Sequence, residues 1–490
     1  MICRIVERVS QPYRLLTLAI AVPAMFIMTP VVGNERGTDN WQTINTEFGE
    51  SRHEGASAQA GEAFYVLGGR ESNNVRIYDP FQGSDGNWSS GAPSPIQLHH
   101  FQAVELDGFI YAIGAMTGPF PEEDPVENVY IYDPLADRWI TGPLLPVARL
   151  RGSSGAVVHD GLIYWISGNT NGHVGPVTDM VDVYDPATGS FSALAEIPNP
   201  RDHFFATLHE GRIYVIGGRR SVPEGGGFEP TIPEIDVYDI ATDTWQTLPA
   251  SADLDPPRAA AATDRVGDEI IVAGGESGAQ EPWAHVEAQA FNPASGQWRN
   301  LPDMLTPRHA AQAIVSNGGF YLAAGSPYRG GPGGAVLNTE ALFLGEPSSP
   351  TGMAITAGLL TAPASMVFDP GTGVVSIDHA AGNQAIIIRS IQISGSPAFS
   401  LAEPLAGPVS LAPGSGREIT IHYAGGVEAA AAVLEITDSN DQLTTVLLEA
   451  KGGTDPVFQD RFEAIELVSR RPPKKRTAAV VQRRLFRLPR

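Results

Sequence analysis

Short apolar stretches rich in β-branched and aromatic side chains recur along residues 41–344, and each ends in a pair of small residues. Gly211-Arg212-Ile213-Tyr214-Val215-Ile216, which runs into Gly217-Gly218, is typical. Such runs predict short strands rather than helices. The small pairs are Gly68-Gly69, Gly114-Ala115, Ser167-Gly168, Gly217-Gly218, Gly274-Gly275 and Ala324-Gly325, giving six units with a period of about fifty residues. An aromatic followed by turn chemistry comes next, as in Tyr78-Asp79-Pro80, Tyr132-Asp133-Pro134, Tyr184-Asp185-Pro186, Tyr238-Asp239 and Phe291-Asn292-Pro293, with Phe343 the weak sixth. Six residues past the Asp or Asn stands a bulky aromatic: Trp139, Phe191, Trp245 and Trp298, with Trp88 displaced by an insertion. Finally, Arg52, Arg151, Arg201, Arg258 and Arg308 each lie 17 positions before the second small residue, and Leu98 takes that place in unit two.

Each landmark has a structural task. A small pair lets the backbone approach its neighbours near a crowded axis, Asp-Pro turns join antiparallel strands, and the large rings fasten one sheet to the next. An arginine repeated in five of six units ties strands together, because a ligand would meet only one or two of them.

These landmarks resemble the kelch repeat over residues 41–344, and the resemblance implies an all-β, six-bladed β-propeller. Unit six lacks a Trp after Phe343, while Trp41-Gln42-Thr43-Ile44 stands alone ahead of unit one and mirrors Trp245-Gln246-Thr247-Leu248. The N-terminal segment is therefore expected to complete the last blade, which leaves no open sheet edge. Residues 345–362 read as a linker. Over residues 363–453, stretches such as Ile386–Phe399 and Leu411–Gly416 read as strands and turns of a β-sandwich. They look like the immunoglobulin-like modules of the Hydin/choice-of-anchor type found in secreted bacterial proteins, which implies an adhesive, spacing or assembly role.

With 490 residues the chain exceeds one ordinary core, and 53 glycines with 40 prolines keep it below low-complexity composition, so folded units are expected. The net charge is −23, yet nine Lys or Arg and no acid fall in residues 470–490. The body is thus more acidic than the total suggests, which makes nucleic acid and anionic membrane poor partners for it. Residues 1–33 read as an export signal, with arginines ahead of the apolar run Leu15–Met28. The competing uncleaved anchor is disfavoured by Pro23 within a run shorter than the ~20 residues of a spanning helix. The only cysteine, Cys3, would leave with that leader. Residues 454–490 form a basic tail that reads as solvated, as a sorting element, or as a strap against the acidic body. The expected location is periplasmic or extracellular.

In kelch propellers the residue after the small pair and the residue two past the blade-entry arginine commonly line the mouth. That resemblance points to Arg70, Met116, Asn169, Arg219, Glu276 and Ser326, and to Glu54, His100, Ser153, His203, Ala260 and Ala310. Polar positions concentrate in units one to four, where a ligand is expected to lean. Arg70 and Arg219 fall in opposite blades and could close on one carboxylate. Alternatively each pairs with a nearby acid such as Glu71, Glu54 or Glu276.

No cofactor is expected. The copper-radical chemistry of galactose-oxidase relatives needs a cysteine that the mature chain would lack. No HExxH pattern is present, and strand alternation would point His99 and His100 to opposite faces, which argues against a metal site. The glycine-rich stretches Glu224–Phe228 and Arg329–Gly334 lack the P-loop Lys-Ser/Thr and read as loops on the mouth side. The favoured function is non-catalytic recognition of a protein segment or glycan, with a carboxylate in the epitope. Two alternatives stand: an acid/base sugar enzyme like the sialic acid mutarotases, using Glu276 or Glu54 with Arg219, and a purely structural envelope protein.

Overall fold

A computed structural model describes residues 39–450, apart from 51, 71, 223–226, 279–281, 332–335 and 426–429. The expected leader, the basic tail and Glu71 lie outside the described residues. Every element longer than one helical turn is a strand.

Six four-stranded antiparallel sheets stand around one axis. Blade one uses Ala56–Ala60, Ala63–Leu67, Val75–Asp79 and Asn87–Gly91, and blades two to five repeat that succession. Blade six combines Ile314–Ser316, Gly319–Leu322 and Thr339–Phe343 with the N-terminal strand Asn40–Asn45 as its outer edge. Trp41 pairs with Leu342, and Asn40 with Phe343, so the predicted closure is present. Innermost strands of successive blades lie side by side, and that of blade six returns to blade one.

The repeated landmarks explain the assembly. Tyr78, Tyr132, Tyr184, Tyr238, Phe291 and Phe343 are all buried in their sheets. Four outer-strand tryptophans hydrogen-bond the preceding blade: Trp139 donates to the Ala92 carbonyl at 3.0 Å, Trp245 to Ala195 at 2.8 Å, Trp298 to Ala252 at 2.8 Å and Trp41 to Pro302 at 2.9 Å, whereas the buried Trp88 N–H has no partner among the described residues. The entry arginines are framework: Arg201 is fully buried, donates to the Gly217 and Glu234 carbonyls at 3.0 and 2.9 Å, and pairs with Asp236. Small pairs join neighbours as well. Gly218 N–H donates to the Arg258 carbonyl of the next blade at 3.0 Å, Gly275 to Arg308 at 2.9 Å, and Gly325 around the closure to Arg52 at 2.8 Å. At Gly274 a Cβ would sit 2.2 Å from the Arg308 carbonyl, so the fixed spacing of Arg and Gly records an inter-blade contact.

Residues 345–358 run back over the propeller, where Thr351 accepts from Gln59 at 2.7 Å and from Ser316 at 3.1 Å. Beyond them, two sheets face each other. One holds Leu359–Thr361, Gly371–Ala381, Gly416–Tyr423 and Phe399–Leu401; the other holds Ser365–Phe368, Leu443–Ala450, Ala431–Asp438, Ile386–Gly395 and Val409–Leu411. Burial alternates along Gly416–Tyr423 and Ala431–Asp438, as expected of sheets with one wet face, and both inner faces share a core around Ile421, Leu434, Val446 and Leu448. This β-sandwich is docked on blades two and three. Ala385 and Ile387 enter their core beside Phe109 and Tyr111, Gln384 donates to Asp133 at 2.9 Å, and Ser410 N–H reaches the Pro186 carbonyl at 2.7 Å.

Candidate axial site

Two circuits surround the axis, and the first is made of backbone. Glu54, His100, Ser153, His203, Ala260 and Ala310 occupy one equivalent position per blade, all with φ between 52° and 61°. Each N–H donates to the carbonyl of the preceding member: His100 to Glu54 at 2.8 Å, Ser153 to His100 at 2.9 Å, His203 to Ser153 at 3.3 Å, Ala260 to His203 at 2.7 Å, Ala310 to Ala260 at 2.9 Å and Glu54 to Ala310 at 3.0 Å. The left-handed conformation turns every peptide in the set the same way, which closes the circle. Beneath it lies a cavity of about 30 Å³, lined by these residues with Phe101, Ser154, Phe204 and Phe205, large enough for a water-sized occupant or a single ion.

The second circuit is made of side chains, one blade after another. Arg70 of blade one pairs with Glu54 and with Glu123 of blade two. Glu123 faces His173 Nδ1 of blade three at 3.1 Å, and His173 Nε2 accepts from Arg219 of blade four at 3.1 Å. Arg219 pairs with Glu276 of blade five at 2.5 Å, and Glu276 lies 3.3 Å from His309 Nε2 of blade six. The rings of His309 and His53 then stand 6.4 Å apart, back at blade one. Alternating charge lets these buried groups remain ionised without bulk water.

Electrostatics follow from that crowding. Burial would raise the Glu276 carboxyl, yet His309, Arg219 and the Gly330 N–H, which donates at 2.8 Å, hold it down at about 2. Glu54 is likewise held well below the carboxylate range, because His100, His53 and Arg70 outweigh its desolvation. Burial pushes the His203 imidazole down to about 4, with Arg219 adding to the effect and Asp202 opposing it, and burial pushes His100 well below its ordinary value. Burial thus opposes a charge on either imidazole.

The structure gathers Glu54, Arg70, His100, Asn169, Ser153, His203, Arg219 and Glu276 around one end of the axis, all largely or fully buried. Asn169 pairs through its backbone with Gly152, while its side-chain atoms, like Ser153 Oγ and His203 Nε2, are buried without a hydrogen-bond partner. Arg70 and Arg219 do not stand as an open clamp: each is already matched by carboxylates, the alternative the sequence allowed, because a buried guanidinium requires a counter-charge. Blades five and six also contribute more than expected, through Glu276 and His309.

His99 and His100 correct another expectation. They do not point apart: their Nδ1 atoms are 2.6 Å from each other, since positive φ at His100 breaks the strand alternation on which the expectation rested. Glu123, His173, Asp202 and His309 went unnoticed in the sequence. Glu123 and His173 sit in long loops with no fixed offset from the repeat, whereas Asp202 and His309 directly follow entry arginines and were legible as positions. Glu54, His100, His173 and His203 offer ligand atoms within 4.8 Å of one another.

Loops cover this end of the axis with aromatic rings. Phe120 lies 4.9 Å from the His173 ring and Phe228 5.9 Å, Arg219 and Arg329 flank Phe228 at 5.0 and 4.9 Å, and Trp283 stacks on Tyr328 at 4.6 Å. The described residues of the two glycine-rich stretches lie here: Gly227 abuts His173, and Gly330 reaches Glu276. Residues 223–226 and 332–335 are outside the described set.

Comparison with known proteins agrees with this architecture. The kelch motif matches residues 200–250. A kelch-like protein terF of Aspergillus terreus is 27% identical over 64% of this chain and 68% of its own length. Kelch-like protein 25 of Xenopus tropicalis is 27% identical over 51% of this chain and 41% of its own, and beta-scruin of Limulus polyphemus is 29% identical over 38% and 20%. The chain thus spans about two thirds of the first relative and well under half of the others. A solved structure of YjhT superposes with a TM-score of 0.52 at 16% identity, covering 61% of this chain and 96% of that one, which speaks to the fold alone. The class is an all-β propeller with an appended sandwich. Within that class, the chain carries a kelch motif at residues 200–250 and is similar to kelch-like proteins.

Proposed function

We propose that this chain is an exported kelch propeller, acting in the periplasm or outside the cell, which recognises a protein segment or glycan at the covered end of its axis. Protein recognition is the general role that its kelch relatives support. One observation carries the choice of surface: Phe120 and Trp283 are 54% and 48% exposed on the loops around the buried polar circuit. Exposed rings beside polar groups suit stacking on sugar faces or peptide side chains. The sandwich, read as an immunoglobulin-like module, would space the propeller from its attachment or assembly partner. Among the described residues no helix is long and apolar enough to cross a membrane.

A carboxylate in the epitope finds less support than the aromatic rim, because Arg70 and Arg219 already hold acids. The sugar-enzyme reading gains from the convergence of Glu276 and Arg219, yet a carboxyl held at about 2 is a weak base and lies buried. The test is a glycan and peptide array probed with wild type and with the Phe120→Ala/Trp283→Ala variant. The expected result is about tenfold or greater weakening of any captured ligand. Undiminished binding by the variant would remove this surface from the proposal, and anomer exchange of acidic sugars above background by NMR would restore the enzyme.

A further inference from the structure

Four acceptor atoms converge on the axis with too few donors to satisfy them. The hydrogen bonds fix the tautomers. His99 Nε2 lies 3.0 Å from the Gly118 carbonyl, which can only accept, so His99 carries its proton there and its Nδ1 accepts from His100 Nδ1–H. His203 Nδ1 faces Asp202 at 2.5 Å, and His173 Nδ1 faces Glu123 at 3.1 Å, so both Nδ1 atoms are donors. In their neutral forms His100, His173 and His203 are thereby left with an unprotonated Nε2, which at His173 accepts from Arg219. His203 Nε2 has no hydrogen-bond partner, and His100 Nε2 lies 2.8 Å from Glu54 Oε1 without hydrogen-bond geometry. Two lone pairs at that separation repel, and either a proton on Nε2 or a metal ion between the two atoms relieves the repulsion.

We propose that Glu54 and the Nε2 atoms of His100, His173 and His203 hold a divalent first-row transition-metal ion on the propeller axis. The four residues come from blades one to four, are all buried, and present ligand atoms within 4.8 Å of one another. Each imidazole is oriented through its other nitrogen by Asp202, Glu123 or His99, the outer-shell pattern of metal-bound histidine. Three imidazoles and a carboxylate, without sulfur, suit zinc, iron, manganese or nickel. Charge agrees. Glu54, Glu123, Asp202 and Glu276 gather four carboxylates around the guanidinium groups of Arg70 and Arg219, a setting that favours a further cation. Arg219 would give up its contact with His173 and keep Glu276 and Ser221.

This site stands independently of the ligand proposed for the rim, since its test reads metal alone. The full chain, purified without a polyhistidine tag, is assayed for bound metal by mass spectrometry, then stripped with chelator and titrated with Zn²⁺, Mn²⁺ and Co²⁺ by calorimetry. About one ion per chain is expected, with a higher melting temperature when loaded. His203→Ala and Glu54→Gln should each weaken binding about tenfold or more, while His159→Ala, at the far end of the strand Gly155–His159 from Ser153, leaves it unchanged. Absence of stoichiometric metal from wild type both as purified and after titration would overturn the proposal, even if a variant fails to fold. Full-strength binding by the folded His203→Ala and Glu54→Gln proteins would overturn it too.

Discussion

Ala310 shows most plainly what the axis demands of a single residue, since it holds φ at 56° without being glycine. Positive φ strains an L-residue by roughly 1 to 2 kcal/mol, and glycine relieves that while loosening the unfolded chain by about 0.4 to 1 kcal/mol. Ala310→Gly should therefore leave stability within about 1 kcal/mol of wild type. Ala310→Val, β-branched at positive φ and buried in a closed ring, should destabilise by about 1 to 3 kcal/mol in urea denaturation. The ring positions were readable because they sit at a fixed distance from the entry arginine. Their neighbours across the axis were not: the offsets of Glu123 and His173 are set by loop length, and loops carry no periodicity. Likewise His99 and His100 looked like alternating strand residues because a run of side chains does not disclose the sign of φ.

Elements repeat the same bargain in each blade, and Arg201 exposes its strength. Arg201→Met would strand the Asp236 carboxylate and the Gly217 and Glu234 carbonyls in a dry interior, at about 3 to 5 kcal/mol. Denaturant unfolding should show that loss, and Arg201→Leu with Asp236→Leu should recover part of it, as Leu98 already fills the corresponding place in blade two. At the clasp, Trp41→Ala removes a buried ring and its bond to Pro302, for about 3 to 5 kcal/mol. Deleting residues 39–45 should expose the Thr339–Phe343 edge and produce concentration-dependent association in light scattering; a monomer at high concentration would contradict that reading. The closure was legible because a lone Trp without a preceding unit had to belong to the unit lacking one.

On the scale of the whole molecule, the sandwich is wedged into the propeller rather than strung beside it. Ile387, 1% exposed, lies in the core shared by blades two and three. Ile387→Asp should uncouple the two units, visible as separated calorimetric transitions and as protease cleavage within residues 345–358, which wild type should resist. Nothing in the sequence announced this docking. A surface that is apolar for a neighbour within the chain has the same composition as one that is apolar for a core.

Because Asn40 lies opposite Phe343, the polypeptide enters and departs the ring at a single corner. Tension applied between anything attached ahead of residue 39 and the sandwich would peel that strand pair apart one rung at a time, instead of shearing all its rungs together. Mechanically, then, the clasp is the weak link under load even though it seals the structure at rest.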